Sequence, residues 1–326
     1  MINSIEIKNF RGINDGKLEN LTPLTILVGA KGCGKSTVLQ SLLLGASADQ
    51  GKALDHILSR QVDKNRAGEW LFPKGIFRGR SELIVYTPEL CKTILFALDN
   101  SIEAGNLQDP QNLSNNRDFK SIGINIDGSP GSTLGTQSNF LSNIFLLDPS
   151  SSSLETPLYT LLDETMKQGR REAVREILQT LVPGMKDILT SASGDRPYVA
   201  FEYPNGIVPV LHSGEGISQL VRESLELASR SDGVALMEEP ETNKHPAAIF
   251  QTAKVIFAAV RRGIQVILTT HSLELIDALM KQVNTEEELK LVSLFKLQLR
   301  NGCLQTYKMD GKSIVIERFD IEEDLR

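Results

Sequence analysis

Apolar and polar residues alternate from Ser4 to Phe10, which predicts a half-exposed strand. Leu24–Val28 is a short apolar run that leads straight into a glycine-rich turn, and Gly34 to about Ala46 reads as helix. Further strand-like runs occupy Glu82–Thr87 and Ser121–Ile126. The stretches Asn106–Asp118 and Asp127–Asn143 are rich in Asn, Ser, Gly and Pro and read as loops. From Thr156 to Val182, apolar residues including Leu158, Leu161, Val174 and Leu178 recur mostly every three or four positions, a helical spacing that Pro183-Gly184 stops. After a helix over Ile217–Arg230, the last third alternates: strand Val234–Met237, helix Ala247–Arg262, strand Gln265–Thr269, helix Leu273–Met280. Strands separated by helices of this length predict a parallel sheet covered on both faces.

Composition narrows the class. The chain has 326 residues, 40% hydrophobic and 23% charged, enough for a sizeable core in one large or two modest domains. Neither a repeat nor a clean linker divides it, so one split domain with insertions is expected. No long heptad array is present, which excludes a long coiled-coil arm. The 41 acidic residues outnumber the 35 basic ones, giving a net charge of −6, so any nucleic-acid contact must come from a local patch. Arg60, Lys64, Arg66, Lys74, Arg78 and Arg80 cluster around Trp70 and Phe72. A nucleic-acid face is one reading; a solvated surface beside a buried tryptophan is the plainer one. Cys33, Cys91 and Cys303 are too scattered for a disulfide framework. The amino terminus lacks a signal-peptide pattern, and no apolar run approaches the ~18 residues of a bilayer span. A reduced, cytoplasmic protein with no membrane partner is expected.

Gly29-Ala30-Lys31-Gly32-Cys33-Gly34-Lys35-Ser36-Thr37 matches the phosphate-binding loop pattern G-x-x-x-x-G-K-[ST] at every position. Its glycines let backbone N–H groups wrap phosphates, and the following helix turns its positive end toward them. Lys35 is expected to reach the β and γ phosphates of ATP, with the Ser36 hydroxyl on Mg²⁺. Cys33 sits where an anion-binding helix end favours a thiolate, although a small residue fitted to the loop is the plainer reading. Val234–Met237 delivers Glu238 and Glu239 at the carboxyl end of a strand, where open sheets bind ligands; Glu-Glu-Pro-Glu is also a good first helical turn. In the first reading Glu238 orients Mg²⁺ through water and Glu239 polarises the attacking water. Ile267–Thr269 leads to His271, at the place of a γ-phosphate sensor; a lone histidine is also commonly structural. Ser213-Gly214-Glu215-Gly216 opens a helix and is either a second phosphate-binding end or an ordinary helix start.

Taken in order, these four elements resemble the ABC-type ATPase heads of the SMC, RecF and OLD branch: Walker A at Gly29–Thr37, signature at Ser213–Gly216, Walker B at Val234–Glu239 and switch histidine His271. The opening Ile5–Gly12 is similar to the amino terminus of that branch, where an arginine at the place of Arg11 lies near the nucleotide. Glu238–Pro246 resembles the Glu-Glu-Pro-Glu-x-x-Leu-His-Pro run of OLD-like ATPases, with Asn243–Pro246 as the D-loop. Lys244 stands in place of the leucine, Lys31 in place of a common asparagine, and His212 in place of the leucine before the signature serine. Gln137 is the candidate glutamine loop. The resemblance implies a P-loop α/β fold with a mixed, largely parallel sheet, an antiparallel β lobe and a helical lobe. It divides into a Walker A lobe (about 1–150), a helical part leading to the signature (about 151–232) and a Walker B lobe (about 233–326).

The 55 residues after His271 lack the carboxylate cluster of a TOPRIM nuclease and are too few for that domain. The resemblance therefore implies an ATP- and Mg²⁺-dependent ATPase that forms a head-to-tail homodimer, or a higher assembly of such dimers, and regulates a separately encoded effector, as in bacterial anti-phage systems. A RecF-like DNA-repair ATPase is the alternative. A transporter ATPase fits the Phe10-Arg11 opening badly.

Overall fold

The computed structural model describes residues 1–59, 64–73, 80–98, 117–124, 130–135, 141, 143–148, 156–321 and 323–325. Ser4–Phe10 (β1) and Ile13–Leu18 (β2) form a hairpin that precedes the central strand Leu24–Val28 (β3). Ser81–Tyr86 (β4), Cys91–Leu98 (β5), Arg117–Ile124 (β6) and Pro130–Gly135 (β7) extend the β1 side. The edge strand Ile144–Leu147 (β8) lies at the far end. Asp187–Ser193 (β9), Arg196–Tyr203 (β10) and Gly206–Pro209 (β11) make a separate antiparallel sheet. Val234–Glu238 (β12), Gln265–Thr269 (β13), Val292–Arg300 (β14) and Cys303–Asp310 (β15) complete the large one.

The large sheet has twelve strands in the order β7-β6-β5-β4-β1-β2-β15-β14-β3-β13-β12-β8. Its β14-β3-β13-β12-β8 part is parallel throughout. The β1, β2, β4 and β5 part is antiparallel, with one parallel step between β5 and β6. The expected mixed sheet with a β lobe and a helical lobe is therefore the observed fold.

Burial on both faces explains the apolar runs. In β3, Leu24, Ile26 and Val28 join the core under Glu215–Ser229 (α5), Pro246–Arg261 (α6) and Leu273–Met280 (α7). Leu27 points the other way, into the core under Lys35–Ala46 (α1). β12 divides in the same way, with Ala235 and Met237 on one face and Val234 and Leu236 on the other. Successive side chains leave a strand on opposite faces, so a strand covered on both sides carries no polar alternation.

Three expectations change. The helical spacing over Thr156–Val182 is interrupted: Gly169 adopts a φ of +67°, and the segment becomes two helices, Leu158–Lys167 and Arg171–Gln179. The loop reading of Asp127–Asn143 contains strand β7, because low apolar content does not prevent pairing at a sheet edge. Trp70 is 52% exposed while Phe72 is buried, so the tryptophan expected beneath the surface lies on it. Gln137, Arg60, Lys74 and Arg78 lie outside the described residues. Among the described residues, no helix is long and apolar enough to cross a membrane.

One buried amide fastens the amino terminus to the parallel core. Gln265, fully buried in β13, accepts from Ile2 N (2.7 Å) and donates to Ile2 O (2.8 Å) and Thr22 O (3.3 Å). Gln265→Leu leaves both polar groups of fully buried Ile2 without these partners. The variant is expected to lose about 2–4 kcal/mol of unfolding free energy in urea denaturation.

Candidate functional site

The glycine loop is shaped by close backbone approach. A Cβ at Gly29 (φ +140°) would lie 2.5 Å from the Leu297 carbonyl oxygen and 2.8 Å from Cys33 Sγ, so only glycine fits. Gly34 (φ +99°) starts α1 from a left-handed conformation. Lys35 folds back over the loop, its Nζ donating to Gly29 O (2.9 Å) and Ala30 O (3.3 Å) and lying 3.9 Å from Cys33 Sγ. Cys33 is buried and the flanking Ala30, Lys31 and Gly32 are exposed; Ser36 and Thr37 are half-buried on the first turn. Arg11 (φ +53°) donates through Nη1 to Gln40 Oε1 on α1, which brings the amino-terminal strand's arginine to the helix that the loop begins. An open cleft of about 540 Å³ lies between the loop and the β14–β15 hairpin, lined by Lys31, Cys33, Lys296 and Tyr307 among others.

Helix ends sharpen the picture. Gln50–Leu58 (α2), α7, Glu286–Leu289 (α8) and Gly311–Val315 (α9) are each capped by a side chain, from Asp49, Ser272, Thr285 and Asp310 respectively. Leu158–Lys167, Arg171–Gln179, α1 and α5 have no side-chain cap, and of these α1 and α5 start on glycine, Gly34 and Gly214. The first N–H groups of an uncapped helix need a partner from outside it, and an anion fits.

Three neighbouring strands bring the carboxylates to this edge. Thr269 of β13 pairs in register with Leu27 of β3 and with Glu238 of β12, and Thr270 N donates to Leu27 O (3.1 Å). Glu238 ends its strand half-buried. At Glu239 the backbone turns left-handed (φ +43°), held by N–H bonds to Thr269 O (3.1 Å) and Thr269 Oγ1 (3.2 Å). A non-glycine residue in that region is uncommon and costs about 1–2 kcal/mol, which the two bonds to Thr269 offset. The turn aims Glu239 Oε1 at His271 Nε2, 3.5 Å away, with both side chains about two-fifths exposed.

Glu241, which carries no signal in the sequence beyond its place in the acidic run, accepts from Thr270 Oγ1 (2.6 Å) and His271 N (3.0 Å). It fixes the backbone that carries His271. Gln40 has no sequence signature at all. The uncapped α1 end, the left-handed glycines and Lys35 suit a polyphosphate. Ser36 with Glu238 supplies oxygen donors of the kind a hard divalent cation takes.

A family model described as "AAA ATPase domain" matches residues 1–168, more than half of the chain. The chain belongs to the AAA ATPase domain family. A second model, "AAA domain, putative AbiEii toxin, Type IV TA system", matches residues 97–277. Two uncharacterized proteins of Methanocaldococcus jannaschii are 44% identical over 62 residues and 34% identical over 74 residues. These stretches cover 19% and 22% of this chain but 28% and 65% of theirs, so the chain spans less than two thirds of either relative. Among solved structures, the SmcHead bound to the C-winged helix domain of ScpA superposes with a TM-score of 0.60 at 15% identity, over 95% of this chain and 98% of that one. The Pyrococcus furiosus Smc head bound to the C-terminal domain of ScpA gives 0.58 at 13% identity, over 99% of both. At such identities the likeness is one of fold.

Within this AAA ATPase domain the sequence-derived residues form two groups. The Gly29–Thr37 loop, Glu238, Glu239 and His271 gather at the carboxyl edge of β3, β13 and β12, and Arg11 reaches α1, the helix that the loop begins, through Gln40. Ser213, Gly214 and Gly216 stand apart, at the start of α5, and among the described residues no hydrogen bond joins them to the loop. Gly216 also has a packing reason to be glycine, since a Cβ there would lie 2.7 Å from Asn243 O.

Lys35→Ala removes the one ammonium that the loop surrounds. Nucleotide affinity is expected to fall at least ~10-fold, since each hydrogen bond to a charged group contributes about 1.5–3 kcal/mol. Calorimetric titration with ATP checks this, and unchanged affinity refutes the assignment of the loop.

Proposed function

We propose that this AAA ATPase domain hydrolyses Mg-ATP at sites shared between two copies and uses that cycle to control a separately encoded effector in bacterial anti-phage defence. The carrying observation is that α1 and α5, the two helices that begin on glycine without a side-chain cap, lie on separate parts of the chain. Two phosphate-ready ends that share no hydrogen bond among the described residues can be brought to one nucleotide across a two-fold axis, where the interface is self-complementary.

In this reading the Gly29–Thr37 backbone and Lys35 bind the phosphates, and Arg11 lies beside them through α1. Ser36 and Glu238 would hold a magnesium ion, which would supply positive charge against that of the phosphates. Glu239 takes a proton from the attacking water. His271 keeps that carboxylate in place and senses the terminal phosphate. Ser213 and Gly214 cap the nucleotide held by the partner copy. The description naming an AbiEii toxin supports a defence role. The Smc heads, whose structures hold a domain of ScpA, support a head of this fold working through a separate protein.

Exposed Trp70, with exposed Arg66 and Arg80 in the same segment, favours a second reading, a RecF-like ATPase that closes on DNA. Titration with duplex DNA separates the two: ATP-dependent binding that weakens steeply with salt supports repair, and no binding supports effector control.

Glu239→Gln keeps the shape of the site and removes the base. ATP binding is expected at wild-type affinity with turnover reduced about 100-fold or more, as for loss of a general base. Wild-type turnover assigns the base elsewhere.

Lys35→Ala and Ser213→Arg are each expected to be inactive, because every shared site then has one broken half. When they are mixed, about half the dimers are heterodimers with one intact site, so about a quarter of wild-type ATPase activity should return. Full activity of Ser213→Arg alone excludes the shared site.

A further inference from the structure

The segment after Glu239 is tied to α5 by a buried ion pair. Lys244, whose side chain has no solvent exposure, donates to Glu223 Oε2 on α5 and to Thr252 Oγ1 (3.0 Å) on α6. Thr252, fully buried, donates in turn to Glu223 Oε2 (3.4 Å). Two turns nearer the start of α5, Gly216 packs against the Asn243 backbone so closely that no side chain fits. Burial pushes the Glu223 carboxyl upward, and Lys244 pulls it back. A charged pair this deep is not there for strength, since buried pairs commonly contribute little net stability while fixing one arrangement.

We propose that Lys244, through Glu223 and Thr252, is a positioning residue that locks the Glu239–Pro246 turn to α5. Asn243 and Ser213–Gly214 then form one rigid surface, and the place of Glu239 is linked to the helix that begins with Ser213. That this surface meets a second copy, and that the link affects turnover, rests on the function proposed above. The link itself does not.

The test is Lys244→Leu combined with Glu223→Gln, which removes both charges from the buried site and leaves the nucleotide loop untouched. In nucleotide-free protein, amide hydrogen exchange of residues 239–246 and of 213–218 is expected to speed up together, roughly 3- to 30-fold. ATP turnover should fall by a similar factor while ATP affinity and melting temperature stay near wild type. A merely structural role would lower melting temperature together with activity where the neutral pair packs badly, and would leave melting temperature, exchange and activity all near wild type where it packs well. Unchanged exchange, or faster exchange in 239–246 alone, overturns the link. If the wild-type chain does not hydrolyse ATP, the proposed function fails while the exchange result still decides the link. Should the double variant not fold, Thr252→Val, which removes one partner of Lys244 at nearly constant volume, is read by the same exchange experiment: joint acceleration supports the link and no change refutes it.

Discussion

The in-register parallel pairing of β3 with β13, and of β13 with β12, is the constraint on which the site depends. It places Leu27, Thr269 and Glu238 in one row, so the chain leaves all three strands at the same edge. Neighbouring strands lie about 4.8 Å apart, so the strand carrying Glu238 runs about 10 Å from the one feeding the glycine loop. A slip of one residue in either pairing would turn every buried side chain of that strand to the opposite face. Two separately packed cores, one under α1 and one under α5–α7, resist such a slip. The register is therefore held by apolar burial, and the polar edge takes its geometry from it.

At that edge the backbone departs from regular structure where the chemistry needs it to. Gly29 and Gly34 take conformations that a side chain would obstruct or strain, while Arg11, Glu239 and Asn243 enter the left-handed region despite having side chains. The first two of these are held by hydrogen bonds, Arg11 N donating to Leu71 O and Glu239 N to Thr269, while the Asn243 carbonyl packs against Gly216. Strain held by surrounding contacts is a mark of sites whose geometry must not relax.

Much of this was legible in the residue order. The loop Gly29–Thr37, the acids after Val234–Met237 and His271 after Ile267–Thr269 each follow a short, largely apolar run of strand length, which is the pattern of a doubly covered strand. The antiparallel wing was less visible. Strand β15 has six exposed residues in eight, and β7 is a glycine- and serine-containing edge strand, so neither carries a clear apolar period. Gln40, Glu241 and Gln265 were invisible for another reason. Each acts through a hydrogen bond to a residue distant in sequence, and no local spacing encodes a partner such as Ile2 for Gln265. Trp70 was misplaced because a large aromatic residue is usually read as core, whereas its neighbour Phe72 takes that place.

Lys244 shows how a departure from a pattern can carry more information than agreement with it. Leucine at that position would bury as readily and would need no partner. A lysine there leaves its ammonium out of water, and removing one member of a buried pair costs about 3–5 kcal/mol, so Glu223 and Thr252 become obligatory neighbours. Hydrophobic contacts tolerate sliding, because burial depends on area and not on direction. An ammonium shared between a carboxylate and a hydroxyl does not, because its bonds have fixed lengths and angles. Substituting charge for apolar contact at this point thus exchanges an adjustable joint for a rigid one, between the turn that carries Glu239 and the helix that begins at Gly214.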